Sequence, residues 1–143
     1  MSDYDTDILT WSERQGDLLR RRAAGELVND AELDWPNIAE EIESVGREQL
    51  HAVESLLLRA LLHMLKAEAW PHSRDAPTWR AEAIRFRGQA ANRYTASMRQ
   101  RLDLDRIFRQ ALRALPASID GQQPLPVPQG CPVTLDHLLS DDP

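Results

Sequence analysis

Residues 34–71 decide the fold, and they read DWPNIAEEIESVGREQLHAVESLLLRALLHMLKAEAWP. Asp34 is a good N-cap residue, and Pro36 is tolerated in the first turn of a helix, where its missing N–H loses no hydrogen bond. From there to Pro71, apolar side chains recur every three or four residues, which predicts one amphipathic helix about 50 Å long. The stripe consists of Ile38, Ile42, Val45, Gln49, Val53, Leu56, Ala60 and Met64. A helix this long needs partners along most of its apolar side.

The segments on either side are also helical in pattern. Ala, Leu, Arg and Glu are abundant, and no stretch alternates apolar and polar residues with the period of a strand. We expect a first helix over about Asp5–Ala24, capped by Asp5 or Thr6 and stopped by Gly25. A third helix is expected over about Ala76–Met98, with Ile84 among its inward-facing residues.

The last part of the chain combines a short helix with a proline-rich segment. Asp103 is placed to cap a fourth helix, which Pro116 closes. The five prolines of residues 116–133 predict an extended arm, after which Thr134 caps a last turn with the sequence LDHLL. The predicted fold class is therefore all-α: a single-domain bundle, residues 1–143, of about four main helices with a proline-rich arm and a short final helix.

Composition narrows the class of protein. No apolar run approaches the roughly 20 residues of a membrane span, and the N-terminus MSDYDTDILTW is too acidic for a targeting segment. The single cysteine, Cys131, has no partner within the chain for a disulfide and offers no cysteine cluster for a metal. We therefore expect a cytoplasmic protein without a cofactor.

Charge is distributed unevenly along the chain. Residues 1–54 carry 14 acidic and 5 basic side chains, whereas residues 55–115 carry 12 basic and 5 acidic ones. The basic half either folds against acidic surface or offers a face to nucleic acid. The first interpretation is favoured because the net charge is −6 and 16 of the 17 bases are arginines, whose planar group suits pairing with carboxylates.

Four carboxylates in residues 40–48 suggest a site at first sight. A helical projection, however, places Glu40 opposite the apolar stripe, Glu43 on one flank, and Glu41 and Glu48 on the other flank. The four side chains therefore do not converge. We expect Glu41 and Glu43 to form buried or interfacial ion pairs with arginines of the basic half.

Two histidines of the long helix differ in position. Glu48 and His51 have the Glu-x-x-His spacing of di-iron bundles, but there is one copy and His51 points away from the stripe. His63 lies at the edge of the stripe, where a hydrogen-bonded structural histidine is the favoured interpretation and a ligand the alternative. Lys66, the chain's one lysine, lies a turn further on.

The four tryptophans stand out because other aromatic residues are scarce. A tryptophan near a helix end is typically a core anchor whose indole N–H finds a partner at the rim, and use in an interface is the alternative. They are Trp11, Trp35, Trp70 and Trp79.

Several segments together resemble a bacterial family known as domain of unknown function number 29. They are YDTDILTWSERQGDLLR, DWPNIAEEIESVGRE, LLHMLK, and CPVTLDHLL at the end, with Pro71 and Trp79 between the last two. The resemblance implies an all-helical fold and brings no biochemical activity with it. One position departs from the family pattern, since Ala67 stands where a tryptophan usually follows the lysine of the His-x-x-Lys segment.

The sequence leaves three functions open. The favoured one is a non-catalytic protein-interaction module that self-associates as a homodimer or small homo-oligomer, with a further protein partner possible. The second is an enzyme or a ligand- or metal-binding bundle that uses Glu41, Glu43, His63 and Lys66. The third, nucleic-acid binding through the arginines of residues 80–113, is disfavoured by the acidic net charge. A pocket or ion-pair cluster would draw on Glu40, Glu41, Glu43, Arg47, His63, Lys66 and Trp79.

Overall fold

The computed structural model describes residues 3–142, and all regular elements in that range are helices. They are α1 (Asp3–Thr6), α2 (Ile8–Ala23), α3 (Trp35–Ala69), α4 (Ala76–Arg93), α5 (Leu104–Ala114) and α6 (Leu135–Leu139), with single 3₁₀ turns at Asp30–Glu32 and Ala96–Met98. The predicted all-α class, with four main helices and a short final one, is confirmed. Within the described residues, no helix has both the length and the apolar character needed to cross a membrane.

Internal contacts gather into two compact units, Met1–Arg47 and Glu48–Pro143. The boundary falls within α3. The predicted span of a single domain over residues 1–143 stays a prediction.

The N-terminal unit begins with two helices where the sequence predicts one. Asp7 separates α1 from α2 with a non-helical backbone (φ −151°, ψ 83°), and its carboxylate accepts hydrogen bonds from the Thr10 N–H (3.0 Å) and the Thr10 hydroxyl (2.7 Å). The predicted caps Asp5 and Thr6 are thus wrong, because Asp7 satisfies the free N–H groups of α2. Gly25 has the left-handed φ of 90° expected of a helix stop.

A small apolar cluster holds this unit together. Its buried members are Trp11, Leu18, Leu33 and Ile38, and Tyr4, Leu19 and Val28 pack against them. A buried amide lies next to it: Gln15 accepts a hydrogen bond from the Asp34 N–H (2.9 Å) and donates one to the Glu32 carbonyl (3.2 Å). Gln15 thereby fixes the chain at the start of α3.

The long helix α3 begins at Trp35 and ends at Ala69, as the two prolines predict. Its apolar stripe is covered unevenly. Val53 and Ala60 are fully buried, whereas Ile42 is 69% exposed and Val45 is 62% exposed. The chain itself therefore leaves the stripe uncovered at Ile42 and Val45.

The core of the C-terminal unit joins α3 to α4, α5 and α6. Its fully buried side chains include Val53, Leu57, Ala60, Leu61, Ile107, Phe108, Ala111 and Leu138. α4 ends five residues earlier than predicted because Tyr94 and Thr95 adopt extended backbone. Ile84 is 62% exposed, so its predicted inward orientation is wrong.

The caps of the last two helices are those predicted. The Asp103 carboxylate accepts from the Arg106 N–H (3.1 Å), and the Thr134 hydroxyl accepts from the His137 N–H (3.1 Å). Each side chain satisfies one N–H group that the first turn of a helix leaves without an internal partner.

The proline-rich segment 116–133 contains a tight turn that its proline content does not predict. Ile119 and Gln122 form an antiparallel bridge, and Asp120 and Gly121 between them have φ values of 50° and 76°. Positive φ at both central residues defines a type I′ turn, for which Asp-Gly is a favoured pair. The segment is bonded to the end of α3, since the Trp70 indole N–H donates to the Gln122 carbonyl (2.9 Å) and the Leu125 N–H donates to the Ala69 carbonyl (2.8 Å).

Candidate functional site

Three of the predicted site residues form an ion-pair cluster on the surface of the N-terminal unit. Arg47 lies 2.5 Å from a carboxylate oxygen of Glu40 and 3.8 Å from one of Glu43. All three side chains are 45% exposed or more, and ion pairs of this kind contribute little to stability because solvent screens them. Glu43 thus pairs within its own helix, and not with an arginine of the basic half.

Glu41 has a different partner. The Tyr4 hydroxyl donates a 2.7 Å hydrogen bond to it, which connects α1 to α3, and the Ser44 hydroxyl lies 3.5 Å from its second oxygen. The hydrogen bond to the Glu41 carboxylate raises the pKa of Tyr4 to about 12. The predicted arginine partner of Glu41 is thus replaced by a tyrosine.

Asp34 organises the polar side of the same unit. One oxygen of its carboxylate accepts hydrogen bonds from the Trp11 indole N–H (2.9 Å) and from the Asn37 amide (2.8 Å). Together with Gln15, these contacts fix the connection that leads into α3. The sequence signal for Gln15 was its place in the apolar spacing between Trp11 and Leu18, which marks an inward-facing position.

His63 lies in the C-terminal unit and links α3 to α4. Its Nδ1 is 2.8 Å from the Arg59 carbonyl, and its Nε2 is 2.7 Å from a carboxylate oxygen of Glu82. The ring also lies 5.4 Å from the Phe86 ring, centroid to centroid. A histidine that uses both ring nitrogens on protein acceptors fits the structural interpretation.

Lys66 and Trp79 form a second contact between the same two helices. The Lys66 ammonium lies 5.7 Å from the centroid of the Trp79 ring, within the range of a cation–π interaction. Trp79 is buried, as are Trp11 and Trp70, whereas Trp35 is 45% exposed, which contradicts its predicted role as a core anchor. Glu40, Glu41, Glu43 and Arg47 therefore have partners in the N-terminal unit, and His63, Lys66 and Trp79 have partners in the C-terminal one.

No metal centre was found among the described residues: no three or more His, Cys, Asp or Glu side chains are grouped so that they could hold an ion. His51, the histidine of the Glu-x-x-His spacing, has a side chain that is 73% exposed, and its nearest carboxylate belongs to Glu54 at 3.8 Å. This is the outward orientation that the helical projection predicts.

Several arginines of the basic half serve the fold itself. Arg87 is buried and donates to backbone carbonyls at the C-terminal end of α6. Arg99 pairs with Asp136, whose pKa it lowers by hydrogen bonding, and Arg106 pairs with Glu54 at 3.4 Å. The arginines 80–113 are consequently not a uniform basic face.

The most unusual surface feature of the N-terminal unit is apolar. Of the eight large hydrophobic side chains that are exposed, six lie between residues 8 and 45. Trp35, Ile42 and Val45 follow the helical spacing of the buried Ile38, and they form one face of α3 that we call the α3 apolar face. Its Ile42 and Val45 belong to the predicted stripe.

An all-helical protein with this order of elements has known relatives. The family model described as domain of unknown function DUF29 matches residues 4–142. The chain therefore belongs to the DUF29 family. It is also similar to an alpha-helical protein of unknown function from Rhodospirillum rubrum ATCC 11170, whose crystal structure was determined at 1.45 Å resolution. The two are 27% identical with a TM-score of 0.64 over 97% of this chain and 90% of the other. No curated protein matches the chain.

Proposed function

We propose that this protein is a non-catalytic interaction module that associates with a second copy of itself. The observation that carries the proposal is the α3 apolar face, where Ile42 and Val45 are more than 60% exposed. Large aliphatic side chains at helical spacing are stabilised by burial, at about 25 cal/mol per Å² of apolar surface removed from water. Exposed apolar side chains grouped on one face of a helix accordingly favour an interaction surface.

Charge complementarity favours a second copy as the occupant. Residues 1–47 carry 12 acidic and 5 basic side chains. Helix α4 carries three exposed arginines, Arg80, Arg85 and Arg93, and one glutamate, and Ile84 on it is 62% exposed. We expect the α3 apolar face of one copy to contact the α4 surface around Ile84 of the other. A twofold axis forms this contact twice, which gives a closed dimer.

Sedimentation velocity from about 1 to 100 µM, a range in which a dimer of µM affinity dissociates, tests the proposal. We expect a dimer for the wild-type protein, a shift to monomer for Ile42→Ser/Val45→Ser, and a smaller shift for Ile84→Ser. Leu125→Ser, which changes an exposed leucine outside both surfaces, is the matched control. A wild-type monomer at all concentrations, or a double variant that dimerises as the wild type does, overturns the proposal.

Salt dependence separates the two contributions to the contact. Raising the salt from about 0.1 to 1 M shortens the screening length from about 10 to 3 Å, and so weakens the acidic-to-basic attraction. We expect a weaker dimer at high salt. If high salt strengthens the dimer instead, α4 of the second copy is not the partner of the acidic N-terminal unit.

A cytoplasmic location belongs to the same proposal.

Binding of nucleic acid by the arginines of residues 80–113 would appear as salt-sensitive retention on heparin. We expect no such retention, because the net charge of −6 opposes binding to a polyanion.

A further inference from the structure

A cleft of about 680 Å³ lies in the C-terminal unit, where the loop after α3 faces the proline-rich segment. Residues 69–74 form one side, and Ile119, Asp120, Gln122, Gln123 and Leu125 form the other. Its volume is within the range of about 300–1,000 Å³ that is usual for small-molecule sites. The lining does not include Ile42, Val45 or Ile84, on which the proposed self-association rests.

The two sides of the cleft are fixed with respect to each other. The Trp70 indole N–H donates to the Gln122 carbonyl at 2.9 Å, and the Leu125 N–H donates to the Ala69 carbonyl at 2.8 Å. The type I′ turn at Asp120 and Gly121 adds a defined rim. The cleft is thus formed before any ligand arrives, which lowers the entropy lost on binding.

The lining of the cleft combines charged and apolar groups. Arg74 belongs to one side and Asp120 to the other, and neither side chain makes an ion pair or hydrogen bond within residues 3–142. The lining also includes Trp70, Ile119 and Leu125, and Leu125 is 52% exposed although apolar. Opposite charges that share a cleft without pairing leave both free for a ligand.

We propose that this cleft binds a small zwitterion with an apolar side chain, either an amino acid or a dipeptide with free ends. Arg74 would bind the carboxylate, for which its planar group gives two parallel hydrogen bonds. Asp120 would bind the ammonium group. The apolar side chain of the ligand would then cover Leu125 and the edge of Trp70, so that the ligand's charges and its apolar part each meet their complement.

The backbone of Asp120 allows a conservative test of this assignment. Asp120 is the one non-glycine residue in the described range with a positive φ, which the type I′ turn requires at this position. Asparagine tolerates the same left-handed conformation, so Asp120→Asn removes the charge and keeps the turn. The site therefore offers a conservative variant for each charge, Arg74→Gln and Asp120→Asn.

Isothermal titration calorimetry with L-leucine and L-leucyl-L-leucine tests the proposal. N-acetyl-L-leucine, which keeps only the negative charge, and L-leucinamide, which keeps only the positive one, are the matched compounds. We expect at least one zwitterion to bind about tenfold more tightly than both matched compounds, since each lacks a charge-assisted hydrogen bond. Tighter binding of the dipeptide or of the free amino acid identifies the source of the ligand.

The variants locate the binding. Arg74→Gln and Asp120→Asn should each weaken the zwitterion about tenfold, while Arg80→Gln, an exposed arginine outside the cleft, should leave it unchanged. Ile42→Ser/Val45→Ser should also leave it unchanged, which separates this site from self-association. The proposal fails if neither zwitterion binds at about 10 mM, if the matched compounds bind equally well, or if both cleft variants bind as the wild type does.

Discussion

We predict that replacing Arg87 with methionine lowers the thermal stability of the C-terminal unit. Arg87 is 7% exposed, and its guanidinium binds backbone carbonyls. Its Nε donates to Leu138 (3.1 Å), and one terminal nitrogen donates to His137 (2.8 Å), Ser140 (3.3 Å) and Asp142 (2.6 Å). The carbonyls of His137 and Leu138 belong to the last turn of α6 and carry the partial negative charge of a helix C-terminus.

The magnitude follows from these contacts. A hydrogen bond from a charged donor contributes about 1.5–3 kcal/mol net, but the four contacts share few N–H groups and a buried cation is costly to desolvate. We therefore expect Arg87→Met, which keeps most of the volume and removes every donor, to lower the free energy of unfolding by about 3 kcal/mol. For a chain of this size, that corresponds to a decrease in Tm of about 10 °C.

Circular dichroism melting combined with hydrogen exchange of residues 134–142 measures the effect. Leu138 is fully buried in the core, so loosening of α6 should appear as faster exchange of its amides. The Tm of Arg87→Lys should fall between those of Arg87→Met and the wild type, because an ammonium group cannot reach carbonyls in several directions as a guanidinium does. Arg80→Gln, on the exposed side of the same helix, is the control.

The result that would refute this reasoning is specific. If Arg87→Met melts within about 2 °C of the wild type and exchange near α6 is unchanged, the hydrogen bonds of Arg87 do not hold the C-terminal segment. An equal decrease in Tm for Arg80→Gln would show that the effect arises from the change in net charge.

Three further predictions concern titration and reactivity. The Tyr4 phenol should ionise near pH 12, as measured by its absorbance at about 295 nm, and Glu41→Gln should lower that pKa. Because the pKa is raised in the folded state, the stabilisation by this hydrogen bond is complete below pH 10 and is lost as the pH rises towards 12. The hydrogen bond from Arg99 lowers the pKa of Asp136, so the ionised carboxylate should stabilise the fold above pH 3.8 and lose this effect as the pH falls through the lowered pKa. NMR titration of the wild type and of Arg99→Gln measures the shift, and identical titration curves would contradict the prediction. Burial raises the pKa of the Cys131 thiol, so its alkylation at pH 8 should be slower than that of a free thiol and should accelerate in denaturant.

Much of the fold could be predicted because its signals are local. The bounds of α3 follow from Pro36 and Pro71, and the caps Asp103 and Thr134 act within three residues of their partners. The Asp120–Gly121 turn could also have been predicted, since Asp-Gly is a strong signal for a two-residue turn, although the high proline content of the segment obscured it. The break between α1 and α2 at Asp7 was harder to predict from the sequence. Asp5, Thr6 and Asp7 are all suitable cap residues, but only the Asp7 side chain accepts the hydrogen bond from the Thr10 N–H.

Less of the candidate sites could be predicted, because their partners are distant in sequence. Periodicity identifies His63 as an edge residue, but its bond to Glu82 depends on how α4 packs against α3. Likewise, the projection placed Glu41 on a flank without indicating that Tyr4 would reach it. The cleft between residues 69–74 and 119–125 involves segments separated by more than 40 residues, and no spacing rule connects them.

The sequence by itself determined that this chain is helical, where α3 begins and ends, and which face of α3 is apolar, since these depend on neighbours within one or two turns. The tertiary structure alone decided which part of the apolar stripe is covered. Ile42 and Val53 have the same character in the sequence, yet one is 69% exposed and the other is fully buried. The tertiary structure also decided that Arg87 binds the end of α6. The physical reason is that burial and long-range hydrogen bonds depend on the packing of other helices, and hydrophobicity reports only the tendency of a side chain to be buried.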